Sequence, residues 1–394
     1  MSVLNQIGVV TAMNLRNVSQ RLGTSFVIVI GVAGVVAVLI SVMAMSAGFS
    51  KTLATSARAD RAIVLRGGAA AELNSTLSRD AVATIRDAAG IMKSGEGRPI
   101  ASPESVVMVN VPKKGESTVT NVALRGIDPM GLVLRPEIKI IEGRMFQPAV
   151  REMIVGKSAQ FQFQGLEVGK QLSFRGSDWT IVGIFESNGD SHESEMLADV
   201  ETVMSAYRRG LYSAVALQLE SADSFTALKD ALTTNPAITV DVQRETDYFA
   251  SQSKDINAII SFVAFFVGGI MAVGAMFGAL NTMYSAVSAR TLEIATLRAI
   301  GFGASAVVIS IFVEALMLAV TGGLLGAALA WLFFDGNVVS TLGGNFTQMV
   351  FPMTVTTGLV VLGIIWACTI GLIGASLPAI RAARLPVAAA LQAQ

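Results

Sequence analysis

Cysteine occurs once, at Cys368, and histidine once, at His192. A lone cysteine excludes an intramolecular disulfide, so an aqueous domain in this chain has to hold together by its own core. A lone histidine makes a zinc site only if other ligands converge on it. Within Asp190-Ser191-His192-Glu193-Ser194-Glu195 it reads as part of a solvated polar loop. Charge is also scarce, at 15% of residues, against about 25% in ordinary soluble domains. The net charge is zero, which gives no electrostatic case for a nucleic-acid partner. A G-x-x-x-x-G-K-[ST] phosphate loop is missing: residues 165–171 (GLEVGKQ) have the wrong spacing and no hydroxyl residue after Lys170. Alone, the chain is therefore expected not to hydrolyse ATP. Neither G-x-S-x-G nor H-E-x-x-H occurs, so no catalytic residue, resident cofactor or metal ligand is expected.

The charge that is present is unevenly placed. Of 29 basic residues, 23 lie from Lys51 to Lys254, and of 29 acidic residues, 26 lie from Asp60 to Asp255. A central stretch of about 200 residues thus has ordinary soluble composition and is large enough for its own core. The flanks supply long apolar runs, and a membrane span needs about 20 such residues. Residues 24–49 carry no charge, residues 256–289 none, residues 304–334 only Glu314, and residues 336–380 none. The first run is too long for the 7–15-residue apolar core of a cleaved signal peptide, and reads as a span.

Six basic residues remain outside the central stretch: Arg16, Arg21, Arg290, Arg298, Arg381 and Arg384. They fall before span one, between spans two and three, and after span four. The positive-inside rule places those segments in the cytoplasm and the central domain outside. The expected fold class is a membrane protein with four transmembrane α-helices and a large α/β extracytoplasmic domain between helices one and two. The expected segments are a cytoplasmic 1–23, spans at 24–49, 255–284, 304–334 and 352–377, a two-lobed domain at 50–254, a cytoplasmic link at 285–303, a short outer loop at 335–351 and a tail at 378–394.

Within the domain, residues 62–65, 105–111, 120–125, 171–174, 179–185, 214–219 and 238–242 have strand character. Residues 78–88 and 222–233 have helical spacing, with Ser78 placed to cap the first. In the spans, Gly274 with Gly278 and Gly322 with Gly326 form GxxxG pairs, each suited either to close helix packing or to a lipid-facing surface. Glu314 is an ionisable group inside a span and so a candidate polar site, or else a hydrogen-bonding partner for a neighbouring helix.

The link reads Ser288-Ala289-Arg290-Thr291-Leu292-Glu293-Ile294-Ala295-Thr296-Leu297-Arg298-Ala299-Ile300-Gly301. On a helix, Arg290, Glu293, Leu297 and Ile300 share one face. Such a face suits either docking in a protein groove or lying on a lipid surface. This segment resembles the "ERTREIGIRKALGA" link of the MacB, lipoprotein-releasing and FtsX-like superfamily of ABC permeases. Phe312-Val313-Glu314-Ala315-Leu316 with Gly322-Gly323-Leu324-Leu325-Gly326 is similar to that family's third helix. Pro378-Ala379-Ile380-Arg381-Ala382-Ala383-Arg384-Leu385 is similar to its terminal motif. Glu142-Gly143-Arg144-Met145-Phe146, residues 152–157, Val168-Gly169-Lys170, residues 179–183 and Asn14-Leu15-Arg16-Asn17 follow the family pattern too. The link departs from it at Ala295 and Thr296, and the tail at Leu385 and Ala388.

The resemblance implies the permease subunit of an inner-membrane ABC transporter in bacteria, a multi-pass protein with a periplasmic domain and both termini cytoplasmic. ATP and Mg would sit on a separate ATPase subunit. The implied partners are that ATPase, a second permease copy or homologue, a periplasmic adaptor and membrane lipid. Arg290, Glu293, Leu297, Ile300 and Gly301 would form the ATPase-docking link, with Gly301 and Gly303 ending its helix. An FtsX-like signalling protein that activates a cell-wall hydrolase is the alternative output of the same machinery.

Overall fold

The computed structural model describes residues 6–8, 10–13, 22–116, 118–343 and 347–385. The Asn14–Asn17 motif, Arg16, Arg21 and the tail beyond Leu385 lie outside the described residues. Four helices are long and apolar enough to cross a membrane, and the chain is a multi-pass membrane protein. They are Leu22–Ser56, Glu245–Ala289, Ala304–Phe334 and Thr357–Ala383. A short link helix, Thr291–Ala299, stands between the second and third.

The first two helices outrun the spans expected from hydropathy. At 35 and 45 residues they are about 52 and 68 Å long at about 1.5 Å per residue, against an apolar bilayer core of about 30 Å. The first continues past residue 49 to Ser56; the second begins at Glu245, ten residues before residue 255, and runs on to Ala289. The cause is that hydropathy marks what lipid tolerates, whereas a helix persists until a residue breaks it. Residues 50–56 and 245–254 contain neither glycine nor proline.

The chain divides into two compact units: Gly48–Ala258 with Val338–Pro352, and the remainder. In the helical unit, Val32, Val36 and Ile40 of the first helix share a core with Ile311 and Ala315 of the third and Ala367 and Ile370 of the fourth.

The other unit is built on one ten-stranded sheet. Its strands are β1 (Arg61–Arg66), β2 (Ala101–Pro112), β3 (Val119–Ile127), β4 (Lys139–Gly143), β5 (Glu152–Gly156), β6 (Gln171–Phe174), β7 (Ser177–Glu186), β8 (Met196–Asp199), β9 (Ala214–Gln218) and β10 (Val240–Arg244). The order is β10-β1-β9-β2-β3-β8-β5-β7-β4, with β6 on β7. The sheet has two halves, one from both ends of the domain and one from its middle, and β2 runs from one to the other. Its first residues, Ala101–Glu104, pair with β9, and Ser105–Pro112 pair with β3. Each half keeps its own core. Val64, Val215 and Val242 pack with Ile85 and Leu228 of the helices Arg79–Arg86 and Ser224–Thr233. Val107, Leu124, Ile181 and Trp179 pack with Phe163 and Leu166. Ser78 caps the first of those helices by accepting from the Ala81 amide.

The segment expected as a short loop at 335–351 contains an antiparallel hairpin, β11 (Val338–Leu342) and β12 (Gln348–Pro352). It belongs to the sheet-containing unit. Val350 is buried in the same core as Trp179, and Phe351 meets Phe49 edge-on at 5.4 Å. Its valines, threonine and phenylalanine favour a half-buried pleated ribbon over a solvated loop.

Candidate functional site: the link helix and a buried charge cluster

The link helix begins one residue later than its sequence stripe assumes. Arg290 has φ −107° and ψ 12°, outside helical geometry, and the helix starts at Thr291. Arg290 is 5% exposed. Its Nη1 and Nη2 donate to Glu314 Oε2 and Oε1 at 2.9 and 2.6 Å. The structure therefore corrects the placement of Arg290 on an exposed docking face: its charge is spent inside the helical unit. Glu314, 6% exposed, is the other half of this fork. A buried pair of this geometry is retained because removing one partner leaves an uncompensated charge.

The face of the link helix follows from which residues are buried. Ile294 and Ala295 face inward, Leu297 and Arg298 are half-buried, and Leu292, Glu293, Thr296, Ala299 and Ile300 are exposed. Relative to the stripe read from sequence, the free face is turned by about 80° at about 100° per residue. Glu293 and Ile300 remain on it; Leu297 lies at its edge. The far end is pinned by Arg298, whose Nη1 donates to the carbonyls of Ala383 and Leu385 at 3.0 and 2.7 Å. Gly301, at φ 102°, takes the left-handed conformation that ends the helix, and Gly303 caps the next.

The glycine pairs separate. A Cβ on Gly322 would lie 2.8 Å from the Val29 carbonyl oxygen, and one on Gly326 2.4 Å from that of Ala33. These two seat the third helix on the first. Around Gly274 and Gly278 nothing among the described residues comes within 4 Å of an added Cβ, so that pair makes no helix contact among them. The fourth helix holds contacts the GxxxG search missed: a Cβ on Gly371 would lie 2.7 Å from Ala319 Cβ, and one on Gly363 2.9 Å from Ile40 and Val36. Gly363, Ala367, Gly371, Ala375 and Ala379 recur every four residues and are all buried; allowing alanine in the pattern would have found them.

A second constellation lies in the sheet-containing unit, where sequence reading placed a solvated loop. The reading of His192 as exposed is overturned: it is 3% exposed, and Asp190 to Ser194 are all buried. The segment is stitched down at nearly every residue, which supplies the hydrogen bonds that water would otherwise give. Arg125 of β3 is its centre. All five of its N–H directions are used: Nη1 reaches Glu72 (2.6 Å) and Glu104 (2.7 Å), Nη2 reaches Glu72 (3.0 Å) and Glu195 (2.9 Å), and Nε reaches Glu195 (2.7 Å). Arg135 donates to Glu104 at 2.6 Å and to His192 Nε2 at 3.2 Å, and His192 Nδ1 lies 3.1 Å from Glu195. Beside this cluster, Arg61 forks onto Glu137 at 2.7 and 3.1 Å.

Burial alone would raise the Glu104 and Glu195 carboxyls. The facing guanidiniums outweigh it, Arg135 and Arg125 at Glu104 and Arg125 at Glu195, and hold both below the usual carboxylate range. The available sequence signal was Arg125 itself, a charge inside the apolar strand Val122-Ala123-Leu124-Arg125-Gly126-Ile127.

The described residues combine four membrane-length helices with a large mixed α/β domain. The MacB-like periplasmic core domain matches residues 22–235 and the FtsX-like permease C-terminal domain residues 265–387. The chain belongs to the MacB/FtsX-like ABC permease superfamily. It is 32% identical over 189 residues to a macrolide export ATP-binding/permease protein MacB of Shewanella sp. (strain ANA-3), covering 48% of this chain and 25% of that one. It is 27% identical over 204 residues to the uncharacterized ABC transporter permease YknZ of Bacillus subtilis (strain 168), covering 50% and 49%. The chain thus spans a quarter to a half of the length of these relatives. Among solved structures it is similar to the periplasmic region of MacB from Actinobacillus actinomycetemcomitans, at TM-score 0.37 and 12% identity over 48% of this chain and 90% of that one.

Proposed function

We propose that this chain is the permease subunit of an ABC transporter that passes the ATP-driven motion of a separate ATPase subunit to a periplasmic domain, which moves or extracts a substrate. The observation that carries this reading is the link helix. It is fastened at both ends, by Arg290–Glu314 and by Arg298 on the end of the fourth helix, and leaves Leu292, Glu293, Thr296 and Ile300 free. A rigidly held helix with an apolar, singly charged free face suits a groove on another protein. The placement of basic residues in the sequence supports a cytoplasmic link and cytoplasmic termini in an inner-membrane protein. ATP and Mg belong to the partner. A second permease copy or homologue, a periplasmic adaptor and lipid complete the assembly.

The extension of the first two helices by about seven and ten residues beyond their apolar spans supports transmission to the outer domain. Transport is favoured over FtsX-like signalling by the size of that domain, with its ten-stranded sheet. The test is copurification. The intact chain is expected to retain an ATPase from its own host, and Glu293→Lys to lose it while still inserting and folding. Loss of about 2 kcal/mol at a charged interface weakens association roughly thirtyfold. Ser288→Ala, before the link helix, is the control. Full ATPase retention by Glu293→Lys would remove the docking face from this account.

A further inference from the structure

The six residues Asp190 to Glu195 bond to several separate parts of the sheet-containing unit. The Ser191 amide donates to Ser56 Oγ at 2.8 Å, and Ser56 Oγ donates to Ser191 Oγ at 2.8 Å. Ser56 is the last residue of the first long helix. Ser194 Oγ donates to the Val350 carbonyl at 3.1 Å and accepts from the Val350 amide at 2.9 Å. Val350 lies in β12, the ribbon between the third and fourth helices. Glu195 forks onto Arg125, Arg125 forks onto Glu72, and the Glu72 amide lies 3.4 Å from the Tyr248 hydroxyl in the first turn of the second long helix. Glu193 fastens the segment from behind. It accepts from the Ser187 and Gly189 amides at 2.8 Å each and from Ser158 at 3.1 Å. Its backbone is so close to Gly156 that an added Cβ there would lie 2.1 Å from the Glu193 carbonyl.

Among the described residues, the first helix meets this short segment directly through Ser56 and the β11–β12 ribbon through Ser194, and the second helix is linked to it through Glu72 and Arg125. The segment in turn is locked to β3 by the five-way Arg125 cluster. Pulling such a cluster apart leaves buried charges unpaired. A displacement that reaches Glu195 and Arg125 is thus cheaper to pass to β3 than to absorb in the charge cluster. The hydroxyl bonds at Ser56 and Ser194 are the weaker, uncharged elements.

We propose that Asp190 to Glu195 is the joint through which all these connections, including the ribbon between helices three and four, drive the sheet. Ser191 and Ser194 act as its positioning residues. This rests on the motion-transmitting reading of the chain. The test uses the full-length permease with its copurifying ATPase in lipid nanodiscs. The readout is backbone hydrogen exchange in β3 and β8, with Mg·ATP and vanadate compared with no nucleotide. Ser56→Ala and Ser194→Ala each remove a hydroxyl from the joint without burying an unpaired charge. Ser158→Ala removes a hydroxyl that bonds Glu193 of the segment but joins no long helix, and Ser194→Thr restores a hydroxyl.

The expected result is a nucleotide-dependent change in the unmodified complex, in Ser158→Ala and in Ser194→Thr. That change falls at least about fivefold in Ser56→Ala and Ser194→Ala, with ATPase retention and ATP turnover unaltered. A full response in Ser56→Ala and Ser194→Ala overturns the joint alone. An unmodified complex that binds its ATPase yet shows no nucleotide response overturns the motion-transmitting reading, and the joint falls with it. If Ser194→Ala fails to assemble, Ser56→Ala against Ser158→Ala decides the question by the same readout.

Discussion

Arg290 and Glu314, 24 residues apart in sequence, are joined by two parallel charge-assisted hydrogen bonds of 2.9 and 2.6 Å in the interior of the helical unit. The fork fixes the start of the link helix against the third long helix. It makes Arg290, which pattern alone would place on the exposed stripe, part of the scaffold that holds the link helix.

Breaking that fork on one side should cost far more than replacing it. Glu314→Gln leaves the Arg290 guanidinium buried without its carboxylate, and a loss of about 3–5 kcal/mol is expected. Arg290→Met with Glu314→Leu removes both charges and should recover most of that stability. Thermal unfolding of the detergent-solubilised protein checks this. A double variant no more stable than Glu314→Gln would contradict the ion-pair assignment.

The two glycine pairs should respond differently to the same change. Gly326→Leu forces a side chain against the Ala33 carbonyl, 2.4 Å from the new Cβ, and overpacking of this kind costs about 1–3 kcal/mol or more. A Cβ added at Gly278 meets nothing within 4 Å among the described residues. Yield and melting temperature of the solubilised single chain should fall for the first and hold for the second.

Sidedness is open to labelling in intact cells. With Cys368 replaced by serine, cysteines at Glu116 and Leu342, both exposed, should react with an impermeant maleimide added outside. A cysteine at Thr296 on the link helix should react only after the membrane is opened. Outside labelling at Thr296 would reverse the orientation.

Acid should loosen the charge cluster. Glu104 and Glu195 have folded pKa values below their unfolded ones. The stability they add is therefore complete above the unfolded value of about 4.3 and is lost as the pH falls through the folded values. Melting temperature should change little from pH 7 to about 5 and drop below it. Glu104→Gln should be less stable at pH 7, because Arg125 and Arg135 lose a shared carboxylate, and its decline in acid should be shallower. An identical acid profile in the two proteins would show that Glu104 does not carry the linkage.

Much of the architecture was legible because it depends on composition along the chain. The four apolar runs and the charge-rich stretch from Lys51 to Asp255 report directly on what lipid and water each tolerate. The strands at residues 62–65, 105–111, 120–125 and 179–185 lie within β1, β2, β3 and β7, since alternation is a local property of the backbone. The ordered motifs of the link, the third helix, the tail and the aqueous domain together pointed to the superfamily.

What composition could not decide was partnership. A charged residue in a polar run looks the same whether water or an arginine satisfies it, so His192 and Glu195 read as surface until the fold brought Arg125 and Arg135 over them. Val338 to Pro352 read as a loop because its burial depends on Trp179, Phe49 and Ser194, which are far away in sequence. The free face of the link helix was likewise set by which side Ile294 and Ala295 could bury, and Arg290 was claimed by Glu314. Local sequence specifies periodicity and hydropathy, which are short-range; which buried charge meets which counter-charge is a long-range packing outcome, and only the tertiary structure determines it.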